Sequence, residues 1–182
     1  GKAPWTGLAG DNVQTLLLQQ DRLWLGSLET QWDAALKGYR DGGLSVWDQT
    51  SWTARSYDAS NPNAPGLKDS SVSALAAGCD GTVWVGTGNA FDHQGSGVQV
   101  LKPGASVHQK TQDTWTQFSF PSLASDNTAD LSIDCSQNLA WVASRHHVTK
   151  PDGLGGAGGQ LLGGGVARYD LTAKTWEKSD SR

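Results

Sequence analysis

Short apolar runs alternate with polar and turn-forming clusters along the whole chain. Gly97-Val98-Gln99-Val100-Leu101-Lys102 alternates with period 2 and opens on Gly, as do Gly43-Leu44-Ser45-Val46-Trp47-Asp48 and Gly165-Val166-Ala167-Arg168-Tyr169-Asp170. Such alternation predicts strands with one face turned inward and one outward. Upstream of each run lies a Trp-centred segment: Arg22-Leu23-Trp24-Leu25-Gly26-Ser27, Thr82-Val83-Trp84-Val85-Gly86-Thr87 and Leu139-Ala140-Trp141-Val142-Ala143-Ser144. Upstream again stand Leu16-Leu17-Leu18, Ala74-Leu75-Ala76 and Asp130-Leu131-Ser132, preceded by Asp11-Asn12-Val13, Ser70-Ser71-Val72 and Asp126-Asn127-Thr128. Downstream each series ends on a second Trp, in Ser51-Trp52-Thr53, Thr114-Trp115-Thr116 and Thr175-Trp176-Glu177.

Matching elements in one order, three times over, make an internal repeat. Each repeat predicts four strands. The first is apolar and small (roughly 12–18, 71–77 and 127–133), the second carries Trp, the third alternates, and the fourth carries the second Trp. Cys79-Asp80-Gly81 is an Asp-Gly hairpin signal between the first two strands of the second repeat. Trp supplies a large area to bury between sheets while its N–H reaches a partner at a rim. Four-stranded sheets repeated radially are the parts of a β-propeller. The expected fold class is therefore all-β: propeller blades of four antiparallel strands, three blades present over 1–182. Blade boundaries fall at about 11–57, 69–120 and 126–180, and Pro4-Trp5-Thr6 makes residues 4–9 the outer strand of a preceding blade. Trp24, Trp84 and Trp141 lie 60 and 57 residues apart, more than the ~40–50 of the common propeller repeats. The excess sits in inserts between strands two and three.

These motifs resemble the two-component-regulator propeller repeat. The second repeat matches best, through Val72 to Leu75, Asp80-Gly81-Thr82-Val83-Trp84-Val85-Gly86-Thr87 and Gly97-Val98. The first departs with Gln20-Asp21-Arg22 in place of Asp-Gly, and the third with the longer Ser136-Gln137-Asn138. The resemblance is specific for fold and weak for function. Its relatives include sensor ectodomains, and the wider propeller set includes lyases and ligand binders; fold alone does not fix function.

Closed propellers use ~4–8 blades. Three expected blades therefore imply a ring completed by another segment, another chain or a second copy of this one, or an open arc docked on a host. Unclosed, the arc would expose two blade faces and their strand edges. The Gly1-Lys2 start reads as a processed or cloned product.

Candidate chemistry concentrates in the inserts, at roughly 28–42, 88–96 and 145–164, which should crowd one face near the channel mouth. Long inserts without structure of their own are usually functional or disordered. They bring Trp32, Tyr39 and Arg40 from the first, Phe91, Asp92 and His93 from the second, and Arg145, His146 and His147 from the third. Glu29, Asp41, Asn89, Lys150 and Asp152 accompany them. Aromatic anchors with a few charges suit a binding surface. His93, His146 and Asp92 are a weak candidate zinc set, although neighbouring His146 and His147 point to opposite faces of a strand. Asp11-Asn12 and Asp126-Asn127 offer oxygen ligands for calcium, but Asp and Asn also initiate turns. The run from Gly153 to Gly165 reads as a flexible linker; without a Lys-Ser/Thr ending it is not a phosphate loop. No Gly-x-Ser-x-Gly elbow is present, and no catalytic residue is assigned. His93 or His146 would be the base if a lyase-like chemistry operated at the channel mouth.

Composition narrows the classes further. The chain has 182 residues, 23 Gly, 9 Trp and no Met, with 37% hydrophobic and 18% charged residues. A net charge of -4 without like-charge blocks gives no footprint for nucleic acid. No apolar run approaches the ~20 residues of a transmembrane helix. Cys79 and Cys135 occupy equivalent positions after strand one in successive repeats, and converging inner strands would bring them within disulfide reach. Two reduced, buried thiols are the alternative. A disulfide would place the chain in an extracytoplasmic compartment, periplasmic or secreted. The expected function is a non-catalytic binding, sensing or assembly module whose loops take a protein, peptide or glycan. The alternative is a propeller lyase or hydrolase, metal-assisted or not.

Overall fold

The computed structural model describes residues 7–29, 31–33, 38–40, 42–56, 65–89, 95–149 and 160–180. In chain order the strands are β1 (Val13–Gln19), β2 (Arg22–Ser27), β3 (Gln31–Asp33), β4 (Gly38–Arg40), β5 (Gly43–Trp47), β6 (Trp52–Arg55), β7 (Val72–Ala77), β8 (Val83–Thr87), β9 (Val98–Lys102), β10 (Thr114–Phe118), β11 (Thr128–Asp134), β12 (Leu139–Ser144), β13 (His147–Thr149), β14 (Gln160–Leu162), β15 (Gly165–Asp170) and β16 (Thr175–Asp180). Three four-stranded antiparallel sheets result: β1-β2-β5-β6, β7-β8-β9-β10 and β11-β12-β15-β16. The all-β, blade-like architecture read from the repeats is the one observed, and it fits a partial propeller. Pro4 and Trp5 lie outside the described residues.

Each inner strand carries a bulge at the same place, between Val13 and Thr15, Val72 and Ala74, and Thr128 and Asp130. Each sheet also repeats one clasp. The N–H of Leu28, Gly88 and Arg145 donates to the carbonyl of Asn12, Ser71 and Asn127, respectively, at 2.9, 2.9 and 2.8 Å. The hairpin between β1 and β2 turns through Gln20 and Asp21, both at positive φ (50° and 60°). That is the mirror-image geometry a two-residue hairpin demands, so the first sheet makes the turn without the Asp-Gly pair.

Period-2 alternation sorts the middle sheet's side chains into two cores. Val72, Leu75, Val83, Val85 and Leu101 pack against Trp24, Leu44 and Val46 of the first sheet. Ala74, Ala76, Trp84 and Val98 pack against Leu131, Ala140, Val142, Ala167 and Tyr169 of the third. Trp24 and Trp84 occupy the same register and are 1% and 3% exposed, each beneath the following sheet. Two residues further on, a glycine admits that sheet. A Cβ on Gly26 would lie 2.5 Å from Val72 Cγ1, and one on Gly86 would lie 2.5 Å from Thr128 Cγ2.

The outer faces of the stack are open. Leu16 and Leu18, in register with Leu75 and Ala77, are 65% and 74% exposed on the first sheet. Each forgoes about 1.5–3 kcal/mol of burial. On the third sheet Trp141 is 40% exposed, where its equivalents Trp24 and Trp84 are covered.

Two ties reinforce the stack. Between the first and second sheets, Arg55 donates to Asp113 Oδ2 at 2.6 Å and to the Val107 carbonyl at 3.1 Å, and its guanidinium lies 5.6 Å from the Trp24 ring centroid. Both members of this ion pair are buried. Between the second and third sheets, Cys79 and Cys135 form a disulfide with a Cα separation of 5.5 Å. The alternative of two reduced thiols is thereby excluded in this structure.

Two inserts differ from the expectation of structureless loops. β3 and β4 pair into a ribbon between β2 and β5, and β13 and β14 pair into another between β12 and β15. The stretch read as a linker from Gly153 to Gly165 thus contains a strand, Gln160–Leu162, and ends inside β15. Three-residue pairing against β13 satisfies backbone groups that the glycine content alone predicts to be solvated.

Removing one partner of a buried ion pair costs about 3–5 kcal/mol, because the other is left uncompensated. Arg55→Met should therefore lower unfolding stability by that amount in urea melts. Adding Asp113→Leu should restore part of it by removing the uncompensated charge, the remainder being the Val107 carbonyl and Gly104 N–H left without their partners. The disulfide spans 56 residues of sequence, for which loop closure gives about 4 kcal/mol. The Cys79→Ala/Cys135→Ala variant should lose about 2–4 kcal/mol, and its stability should no longer respond to reductant.

Candidate functional site

The two ends of the sheets differ in character. At one end stand the inserts, and at the other the connections joining strands one to two and three to four, tight hairpins except for residues 103–113 between β9 and β10.

At the insert end, the first ribbon sets Trp32 opposite Tyr39 and Gln31 opposite Arg40. In the second ribbon His147 stands opposite Leu162. Phe91, Asp92 and His93 lie outside the described residues. Arg145 is partly buried; its Nη1 donates to the Thr128 carbonyl at 2.6 Å and its own carbonyl accepts from Ser125 Oγ at 2.6 Å. Its side chain thus braces the entry to β11. His146 is exposed. Of the candidate zinc set, Asp92 and His93 fall outside the described residues. Among the described ones, no three His, Cys, Asp or Glu side chains gather for a metal. Of the calcium candidates, Asp126 Oδ1 accepts from Phe120 N–H at 2.6 Å, and the Asp11 backbone carbonyl accepts from Val13 N–H at 3.0 Å. Asn127 Nδ2 donates to the Asn89 carbonyl at 2.9 Å, pinning the second insert to the entry of the third sheet.

Four aspartates cap the turns of the hairpin end. Asp48 accepts from Thr50 Oγ1 (2.6 Å), Thr50 N–H (3.1 Å) and Ser51 N–H (3.1 Å). Asp80 accepts from Thr82 Oγ1 (2.6 Å) and N–H (3.2 Å). Asp134 accepts from Ser136 Oγ (2.6 Å), Ser136 N–H (2.9 Å) and Gln137 N–H (3.2 Å), and Asp170 from Thr172 N–H (2.8 Å) and Ala173 N–H (2.7 Å). These bonds favour the ionised form. The Thr50, Thr82 and Ser136 hydroxyls hold Asp48, Asp80 and Asp134 below the ordinary carboxylate range, and the Ala173 N–H does the same for Asp170.

Between the second and third sheets, beside the disulfide, this end opens into a groove of about 510 Å³. Trp84, Val100, Phe118, Tyr169 and Leu171 line it with apolar surface, while Lys102, Lys174, Asp80, Thr116 and Asn138 add polar groups. Phe118 packs on Trp84 and Tyr169 at centroid distances of 5.9 and 5.1 Å, and Tyr169 on Trp176 at 4.7 Å. Burial, followed by the nearby Asp170 charge, raises the Tyr169 phenol above its usual range. The groove's dimensions suit a small ligand or a side-chain-sized group.

Sequence reasoning placed all candidate residues at the insert end and missed this groove. A signal was present. Strand three leads to the second Trp through residues 103–113 in the second repeat, but through only Leu171-Thr172-Ala173-Lys174 in the third. That difference in length opens the groove.

No family model matches the chain, and no curated protein matches it. Among solved structures it is similar to the extracellular domain described as that of the one component system BT4673 from B. thetaiotaomicron. The TM-score is 0.57 at 18% identity, over 94% of this chain. The chain spans 17% of the length of that structure. At that identity the likeness is one of fold.

Because the four capped aspartates have depressed folded values, their stabilisation is present above the unfolded carboxylate range, near pH 3.9. It is lost as pH falls below that range through the folded values. Thermal melts should therefore be flat in this contribution from neutral pH to about 5 and fall below about 4. Asp134→Asn should leave a shallower fall, since the amide oxygen accepts the same bonds but does not titrate.

Proposed function

We propose that the chain is a non-catalytic binding or sensing module whose insert end recognises a protein, peptide or glycan. The observation that carries this reading is the paired ribbon β3–β4, which sets Trp32 across from Tyr39, with Arg40 beside them. An aromatic pair on a short ribbon held by a rigid sheet is a low-entropy anchor for a partner. The second ribbon, at the equivalent place in the third sheet, adds His147, with Arg145 and His146 at its base. Phe91, Asp92 and His93 of the middle insert would complete the surface.

Likeness of fold to the extracellular domain of a one component system favours sensing over catalysis, and the disulfide favours an extracytoplasmic setting, periplasmic or secreted. Completion of the ring belongs to the same reading. Leu16 holds the register of Leu75, which packs in the core shared with the first sheet's Trp24, and Leu18 holds the register of Ala77. The face they make is suited to a further blade, from another segment, another chain or a second copy.

Glycan and peptide arrays probed with the intact chain test the module. Trp32→Ala/Tyr39→Ala should weaken the best-bound probe by at least about tenfold while leaving the melting temperature unchanged. Equal binding by the variant would contradict the assignment of this end, and turnover of the bound probe would contradict the non-catalytic reading.

A further inference from the structure

The gap between the first and second sheets is the register equivalent of the groove between the second and third, and it is filled. Residues 103–113, between β9 and β10, fold back across the first sheet. Val107 from this segment is 3% exposed and belongs to the core with Trp24 and Val46. The next residue, His108, is held at both ring nitrogens: Nε2 lies 2.5 Å from Asp48 Oδ2 and Nδ1 lies 2.6 Å from Thr53 Oγ1. An apolar residue followed by a polar one that meets a carboxylate therefore plugs the gap. Its receptor is Trp24, Val46, Thr53 and Asp48.

Strand register transfers that receptor to the empty groove residue by residue. Val46 pairs with Thr53 across β5 and β6, and Val100 pairs with Thr116 across β9 and β10. Asp48 directly follows Trp47 at the end of β5, and Lys102 follows Leu101 at the end of β9. Trp24 and Trp84 hold the same place in β2 and β8. Trp84, Val100, Thr116 and Lys102 all line the groove. The apolar floor and the threonine are retained, and the charge is reversed from Asp48 to Lys102. Lys174, from the short hairpin opposite, adds a second cation. Asp80, the one carboxylate of the lining, caps its own turn through Thr82 and also feels the Lys102 charge, so the lining carries two cations against one anion. The position of Arg55, which takes Asp113 in the filled gap, is Phe118 in the second sheet. Its ring closes that side, so the room left corresponds to the Val107-His108 part of the plug alone.

We propose that this groove docks a peptide segment of a partner protein that presents an apolar side chain followed directly by an acidic one. The apolar group takes the place of Val107 against Val100 and Leu171, which line the groove around the buried Trp84. The carboxylate takes the place of the His108 imidazole, between Lys102 and the Thr116 hydroxyl. The site lies at the opposite end of the sheets from the ribbons and is independent of the binding surface assigned to them.

The test is an array of blocked hexapeptides with a central Val-Asp, Leu-Asp, Val-Glu or Leu-Glu pair. Otherwise identical peptides carry Val-Lys or Leu-Lys, and the intact chain is the probe. The acidic set should bind and the basic set should not. Lys102→Glu should weaken the acidic set by about tenfold or more and admit the basic set, a charge swap acting on specificity. Thr116→Trp, which fills the groove from an exposed strand position, should abolish both. Because Lys102 and Thr116 are exposed, melting curves of both variants should match the parent. Absence of peptide binding would overturn the proposal, as would equal binding of the acidic set by Lys102→Glu, or glycans as the only bound probes. Self-association of the chain abolished by Lys102→Glu would overturn it in favour of a second copy as the occupant.

Discussion

Everything in this fold depends on one contact made twice: a tryptophan in the second strand of a sheet buried beneath the inner strand of the next. The contact is possible only because a glycine follows two residues later. Gly26 lets Val72 approach over Trp24, and Gly86 lets Thr128 approach over Trp84; in both places a Cβ would stand 2.5 Å from a methyl carbon. The tryptophan supplies the area and the glycine the clearance. From this pair follow the stacking of the sheets, the convergence of their inner strands and the placement of Cys79 within reach of Cys135.

The same contact explains what the molecule leaves unsatisfied. In the third sheet Trp141 holds the register of Trp24 and Trp84, but Ala143 replaces the glycine, and Arg168 lies over the indole at 5.9 Å while pairing with Glu177. That face is polar around its tryptophan. The first sheet's open face is different, for Leu16 and Leu18 project from it without such charges. The two ends of the stack are chemically unlike, and the leucine face carries the stronger drive to be covered.

Much of this was legible in the chain. The Trp-x-Gly spacing, the Gly-led alternating runs and the paired cysteine positions are local patterns repeated in register, so one repeat checks another. The ribbons were not legible, because three-residue strands in Gly-rich inserts leave too little periodicity to read. Nor was the hairpin-end groove. It depends on residues 103–113 crossing to a neighbouring sheet and on the absence of an equivalent in the third repeat, a relation between repeats rather than within one. Of the candidate binding residues, Trp32 and Tyr39 are cross-strand partners in the ribbon register, while Arg145 braces β11, a role that no spacing in the sequence announces.

We propose that the open leucine face of the first sheet is covered by a neighbour. The most direct measurement is the solution mass of the isolated chain by light scattering across the micromolar range, for the parent and for Leu16→Lys/Leu18→Lys. The account predicts concentration-dependent association of the parent that the double substitution abolishes without loss of thermal stability. A parent chain that stays monomeric throughout, indistinguishable in mass from the lysine variant, would contradict it.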